Sequence, residues 1–228
     1  MAVNNAELIK PLMHFDVDGD IYFIEIIRRG KDIGSTGERL IRDYHIHSIE
    51  QLDETMPEIA KICDENHARA YIRVNVRNIE DCNIYAQIEM LREQLTRNQT
   101  VRKAMKTGNM NTFLKDKLNR IRSATKIYGS VLGKYSSDDE KKWIIDIDTD
   151  QVNPEVPGME SVAAIADTYT KFINDCCEPL GVNKVLARIP SRTGMHLVTR
   201  GFNKSTFSAK YGKEKVMDDG ITNLYIAD

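Results

Sequence analysis

The stretch WIIDIDTD, residues 143 to 150, runs an apolar, strand-like segment into aspartates at alternate positions, Asp146, Asp148 and Asp150. Successive side chains of a strand point to opposite faces, so carboxylates at this spacing share one face and repel one another unless a cation lies beside them. Hard ions such as Mg2+ and Mn2+ take oxygen ligands, and two carboxylates at i and i+2 near a strand end can hold one ion or two. Asp146 and Asp148 are therefore a candidate metal pair. Acidic strand ends also serve as turn formers and salt-bridge partners, so the pair acquires chemical meaning only with further groups.

Two later stretches offer them. In PSRTGMHL, residues 190 to 197, the small hydroxyl residues Ser191 and Thr193, with Gly194, let backbone N–H groups approach an anion. Arg192 adds charge there, and His196 can donate a hydrogen bond to phosphate from the start of a strand. In KVMDDGITNLYIAD, residues 215 to 228, Asp218 or Asp219 precedes the last strand, where a third acidic ligand could reach the first pair. Candidate cations for a triphosphate or a template backbone are Arg73 and Arg77, on the polar face of a strand over 68–78, with Lys184, Arg192 and Arg200.

The elements that must position these groups alternate along the chain. β-Branched and aromatic residues predict strands over 20–32 and 39–48. Ser48, with Gln51 three residues on, predicts the start of a helix over 48–68. Strand 68–78 alternates Ile72, Val74 and Val76 with Arg73, Asn75 and Arg77, predicting one buried and one basic face. Residues 79 to 126 read as two helices broken near 106–112, and 128 to 142 as a turn-rich connection. Then come the strand at 143, a helix over 159–177, strands beginning near 183 and 194, a short helix over 205–211 and a last strand from 222. The expected fold class is α+β, with a β-α-β-β-α-β unit of RRM-like arrangement packed against a mixed α/β N-terminal lobe. The expected organisation is one domain, with an N-terminal lobe over about 1–135 and a metal-site lobe over about 136–228.

An apolar strand ending in Asp146 and Asp148, then Ser191, Gly194 and His196, then an acidic residue beside a final strand resemble the three motifs of the archaeo-eukaryotic primase superfamily, which includes the primase-polymerases. The resemblance is confined to residues 143 to 226 and rests on a few residues per motif. It implies that Asp146, Asp148 and one of Asp218 and Asp219 bind Mg2+ or Mn2+ and are catalytic, with Asp219 the assigned third acid. It implies that Ser191, Gly194 and His196 form the nucleotide loop, and with Arg192, Thr193, Arg73 and Arg77 they make up the expected nucleotide-binding set. The implied reaction is nucleotidyl transfer that makes a primer or extends a strand on a single-stranded template. Its partners would be nucleoside triphosphates, the template, and a helicase or other replication protein. With no zinc-module motif in the sequence, the chain resembles the stripped catalytic core found in small phage or mobile-element proteins.

Bulk properties frame these expectations. Net charge is −2, which gives no global attraction to nucleic acid. Residues 92 to 126 nevertheless carry ten basic side chains against two acidic ones, and Arg102, Lys103 and Lys106 are the candidate nucleic-acid contacts within that segment. No apolar run approaches the length of a membrane span, and MAVNNAELIK lacks a signal-peptide layout, so a cytoplasmic protein without membrane contact is expected. The four cysteines form no CxxC pair, in keeping with a reducing compartment. Two other readings stand beside the primase-like one. Gly129 and Ser130 ahead of Asp146 could belong to a polymerase-β-type nucleotidyltransferase, if they opened a helix. The chain could also be a non-catalytic RRM-like nucleotide- or nucleic-acid-binding protein, although it lacks the paired aromatics of a stacking platform.

Overall fold

Ten strands in two antiparallel sheets and six α-helices are seen in a computed structural model that describes residues 2–30, 34, 36–107, 124–138, 140–212 and 216–228. The first sheet contains β1 (Val3–Asn4), β2 (Asp20–Arg29), β3 (Glu38–Ile46), β4 (Arg69–Arg73) and β10 (Ile221–Ile226), in the order β1-β10-β4-β2-β3, with β5 (Arg77–Asn78) beside the start of β2. The second contains β6 (Trp143–Asp148), β7 (Val185–Pro190), β8 (Gly194–Thr199) and β9 (Val216–Met217), in the order β7-β8-β6-β9. The helices are α1 (Ala6–Ile9), α2 (Ile49–Asn66), α3 (Ile79–Thr107), α4 (Ala124–Leu132), α5 (Val162–Cys176) and α6 (Lys204–Tyr211).

Local chemistry sets several boundaries where the sequence predicts them. The Ser48 hydroxyl accepts from the Gln51 N–H at 3.1 Å, and the Gln51 side chain accepts from the His47 N–H at 2.7 Å, a reciprocal cap that starts α2. Ser161 caps α5 through the Ala164 N–H in the same way, and Asn203 caps α6. The four cysteines are free thiols, and burial pushes the Cys63 thiol up to about 12.

Three expectations are corrected. The final strand does not close the C-terminal unit. It enters the first sheet between β4 and β1, pairing Ile221 with Arg73 and Val3 with Ile226, because a strand buried along nearly its whole length needs a neighbour on each edge. The two-residue β9 takes its place beside β6. Second, the strand expected over 68–78 ends at Arg73, because Val74, Asn75 and Val76 are all buried and cannot continue an inside–outside alternation. Third, α4 lies where turns were expected, since Tyr128, Val131 and Leu132 fall at helical spacing and pack on Phe23, Cys82 and Ala86.

The sheets share a core. Ile144, Ile189 and Val198 of the second sheet join Ile24, Ile72 and Leu224 of the first, over α1 and α2. The other face of the second sheet, Ile145, Ile147 and Leu197, packs on Ile165, Tyr169 and Ile173 of α5 and Phe207 of α6. With one face of the second sheet covered by helices and the other turned toward the first sheet, polar residues on that inner face are confined to a cleft. No helix among the described residues is long and apolar enough to cross a membrane.

Candidate functional site

On β6 the odd positions Ile145 and Ile147 face the helices, which sends Asp146 and Asp148 to the inner face. Both carboxylates line a cleft of about 650 Å3 between the sheets, together with Ser191, Arg192, Thr193 and His196. The first two predicted motifs thus converge, through pairing of β6 with β8 that sets Asp146 directly across from His196. Asp150 does not join them, because β6 ends at Asp148 and Asp150 lies exposed in a 3-10 turn.

His196 is buried, and its two ring nitrogens bridge the sheets. Nε2 is 3.3 Å from Asp146 Oδ1, and Nδ1 is 2.9 Å from the hydroxyl of Thr222 on β10. The ring thus lies between a carboxylate on one sheet and a hydroxyl on the other, and the Thr222 hydroxyl can donate to Nδ1 or accept from it according to the tautomer. Thr222 is therefore a positioning residue that sequence patterns did not single out, being one polar residue in an otherwise unremarked strand.

Ser191, Arg192 and Thr193 of the loop between β7 and β8 border the cleft. The Ser191 N–H bonds the Gly194 carbonyl at 3.0 Å, so it closes the hairpin and is not offered to a ligand. Gly194 is required by close approach, since a Cβ there would collide with the Ile147 carbonyl oxygen.

The remaining predicted site residues lie elsewhere. Asp218 pairs with Lys204, whose ammonium sits 4.1 Å above the Trp143 ring. Asp219 accepts from Arg77 at 2.6 Å and from the Asn75 amide at 3.1 Å. Neither acid lines the cleft, and the expected third ligand is thereby corrected: each carboxylate is already neutralised by a cation of its own. Arg77 is fully buried, with its other donors on the Leu132 and Asn75 carbonyls, and Arg73 is held between Glu25 and the Asp219 carbonyl. Burial pushes the Glu25 carboxyl up, against the pull of Arg73. Arg73 and Arg77 thus do not reach the cleft. Arg29 and Arg69 do, and Arg69 belongs to the same strand as Arg73, two repeats of the alternation before it. Lys184 is buried against the Asn174 and Val182 carbonyls, and Arg200 pairs with Glu140. Arg102, Lys103 and Lys106 are exposed in the last turns of α3 and do not line the cleft; residues 108–123 of the basic segment lie outside the described residues. Gly129 and Ser130 fall inside α4 rather than opening a helix.

Among the described residues, no three His, Cys, Asp or Glu side chains form a group able to hold a metal ion. Two adjacent carboxylates at a polar cleft do suit a Mg2+-like ion, which takes one or two carboxylates and fills its remaining positions with water and phosphate oxygens. The donor set therefore fits an ion shared with a bound phosphate, not a cage built by the protein alone. Asp146 and Asp148 are the residues that would hold it. No protein family, curated protein or solved structure was found to match the chain.

Proposed function

We propose that the cleft binds a nucleoside triphosphate with a divalent ion and that the protein is a nucleotidyltransferase of the archaeo-eukaryotic primase type. The observation that carries this reading is the convergence, in one cleft, of motifs 50 residues apart in sequence: Asp146 and His196 are cross-strand neighbours, with Asp148 and the 191–194 turn beside them. The order β7-β8-β6-β9, with α5 and α6 against one face, supports an RRM-like reading of this unit, with β9 as its fourth strand.

In this reading the side chains divide the work. Arg29, Arg69 and Arg192 attract the triphosphate, and His196 donates from Nε2 to a phosphate oxygen if Asp146 turns toward the ion. Thr222 keeps the ring oriented while that exchange occurs. A divalent ion bound at Asp146 and Asp148 supplies charge neutralisation and activation of an attacking hydroxyl. Catalysis then rests on positioning and electrostatics without a covalent protein intermediate.

A second reading, a nucleotide-binding protein without transfer activity, is favoured by one observation: both C-terminal acids are engaged by cations. Labelled nucleoside triphosphates, Mn2+ and a single-stranded template separate the two. Incorporation that disappears in Asp146→Asn supports transfer. Nucleotide binding that persists in the parent protein without incorporation supports the second reading, and absence of binding with Mn2+ present removes both.

A further inference from the structure

The cleft has a second wall, on the first sheet, whose chemistry differs from that of the motif residues. Tyr71 on β4 and Asn223 on β10 are directly paired in register, and both line the cleft. Tyr71 is 7% exposed and Asn223 2%. Yet neither the Tyr71 hydroxyl nor Asn223 Oδ1 has a hydrogen-bond partner among the described residues. Buried polar groups are nearly always satisfied, because leaving one unpaired costs about 1–3 kcal/mol. Two such groups side by side, at a cleft that already holds three carboxylates and three arginines, mark a place where a ligand restores the missing bonds.

Their surroundings define the ligand. The first sheet also contributes Ile27 and Ile221 to the lining, so beside its charged residues Arg29, Glu38 and Arg69 this wall carries apolar side chains, the Tyr71 ring and two neutral polar groups. Apolar lining with a few placed hydrogen-bonding groups suits a flat, uncharged ring system. A phosphate, by contrast, belongs with Arg29, Arg69 and Arg192. The Asn223 carboxamide offers an acceptor next to a donor, the pattern with which amide side chains meet the edge of a base.

We propose that Tyr71 and Asn223 form a nucleobase subsite, on the wall of the cleft opposite Asp146 and His196, that hydrogen-bonds the base edge of the nucleotide. The assignment rests on the nucleotide-binding reading given above.

The test measures affinity, with Mn2+ present throughout, for ATP, GTP, CTP, UTP, 2′-deoxy-ATP, ribose 5′-triphosphate and inorganic tripolyphosphate. It compares the full chain with Tyr71→Phe and Asn223→Leu. At least one base-bearing nucleotide should bind more tightly than ribose 5′-triphosphate. Each variant should reduce that advantage about three- to tenfold, the worth of one neutral hydrogen bond, while tripolyphosphate affinity stays unchanged. Because the hydroxyl has no partner in the protein, Tyr71→Phe should unfold without ligand at a temperature equal to or above that of the parent. The subsite is overturned if the variants bind every nucleotide as the parent does, if they lose tripolyphosphate in the same proportion, or if only the difference between ATP and 2′-deoxy-ATP changes. In those cases tripolyphosphate binding by the parent keeps the nucleotide site itself standing. If neither tripolyphosphate nor any nucleotide binds the parent, both readings fall.

Discussion

The junction between the two sheets holds two polar clusters built from the same residue types. In one, Asn75, Arg77 and Asp219 bond one another, and Asn75 also clasps the Lys142 backbone through both amide atoms, at 2.7 Å and 3.0 Å. Nearby, Asp138 accepts from the Val76 N–H, Lys142 and His14. In the other, Asp146 meets its cross-strand neighbour His196 on one wall of a cleft that Asp148, Arg192 and Thr193 also line. The first cluster is closed: the Arg77 donors and both Asp219 oxygens have protein partners. The second lines a cleft that a ligand could enter. Charges packed at a junction hold elements together, whereas charges that line a cavity can also meet a ligand, and nothing in residue type alone separates the two cases.

The largest effect that can break this comparison falls on the closed cluster. Arg77→Met leaves Asp219 without its cation in a largely buried setting, so unfolding free energy should drop by about 3–5 kcal/mol in urea titration. A loss under about 1 kcal/mol would mean that the cluster is no better satisfied than a surface pair.

Asp146→Asn should do the reverse. The substitution keeps the size of the side chain in a partly exposed position, so stability should change by less than about 1 kcal/mol. Stabilisation of the parent by Mn2+ plus nucleoside triphosphate, read as a rise in unfolding temperature, should disappear in the variant. Equal stabilisation of parent and variant would move the ion away from β6.

The contrast also explains what the sequence made legible. Asp146, Asp148 and His196 could be read because an alternating pattern on strands fixes which face each residue takes, and β6 and β8 obey it. Arg73 and Arg77 were misassigned by the same rule. The pairing with β10 stops after β4, and Arg77, which opens β5 beside β2, is buried only because distant groups, Leu132 and Asp219, supply acceptors. Those partners are 55 and 142 residues away in sequence, beyond the reach of any local pattern. The destination of the final strand was illegible for a related reason. Its own residues predict a buried strand, but which sheet takes it depends on the free edges that other elements leave. Thr222, Tyr71 and Asn223 carry no signal until β10 is placed beside β4.

A smaller effect tests burial away from both clusters. His45 on β3 lies 5.4 Å from the Phe23 ring and 6.0 Å from Tyr128, and its Nε2 has no hydrogen-bond partner among the described residues. Burial lowers its pKa below the ordinary 6.5, a shift that Asp43 opposes and His47 reinforces. A lowered value means that the fold prefers the neutral ring. The stability this contributes is complete above 6.5 and is lost as pH falls through the window between that value and the lower folded one. His45→Phe should therefore match the parent near pH 8 and unfold at a higher temperature than the parent as pH is lowered. Parallel curves across that range would show the ring to be as well hydrated in the fold as outside it.

The smallest expected change in stability concerns Arg102, Lys103 and Lys106, which lie exposed on α3 and outside the cleft. Reversing all three charges should leave the unfolding midpoint where it is, because exposed side chains away from caps and networks contribute little. Their importance is to the choice between a template-directed enzyme and one that acts on nucleotides alone. A chain of net charge −2 must concentrate positive charge locally to hold a single strand, and each phosphate contact lowers log affinity by about 0.7 per unit of log salt. The triple reversal should flatten that slope while Mn2+ and nucleotide binding at Asp146 and Asp148 persist, since the two surfaces share no residue. If single-strand affinity is negligible at low salt, or keeps its slope after the reversal, this end of α3 is a solvated helical face. Template contacts would then have to come from Arg29, Arg69 and Arg192 at the cleft. In that event nucleotide and strand would compete for the same cations, which a titration of one against the other reveals directly.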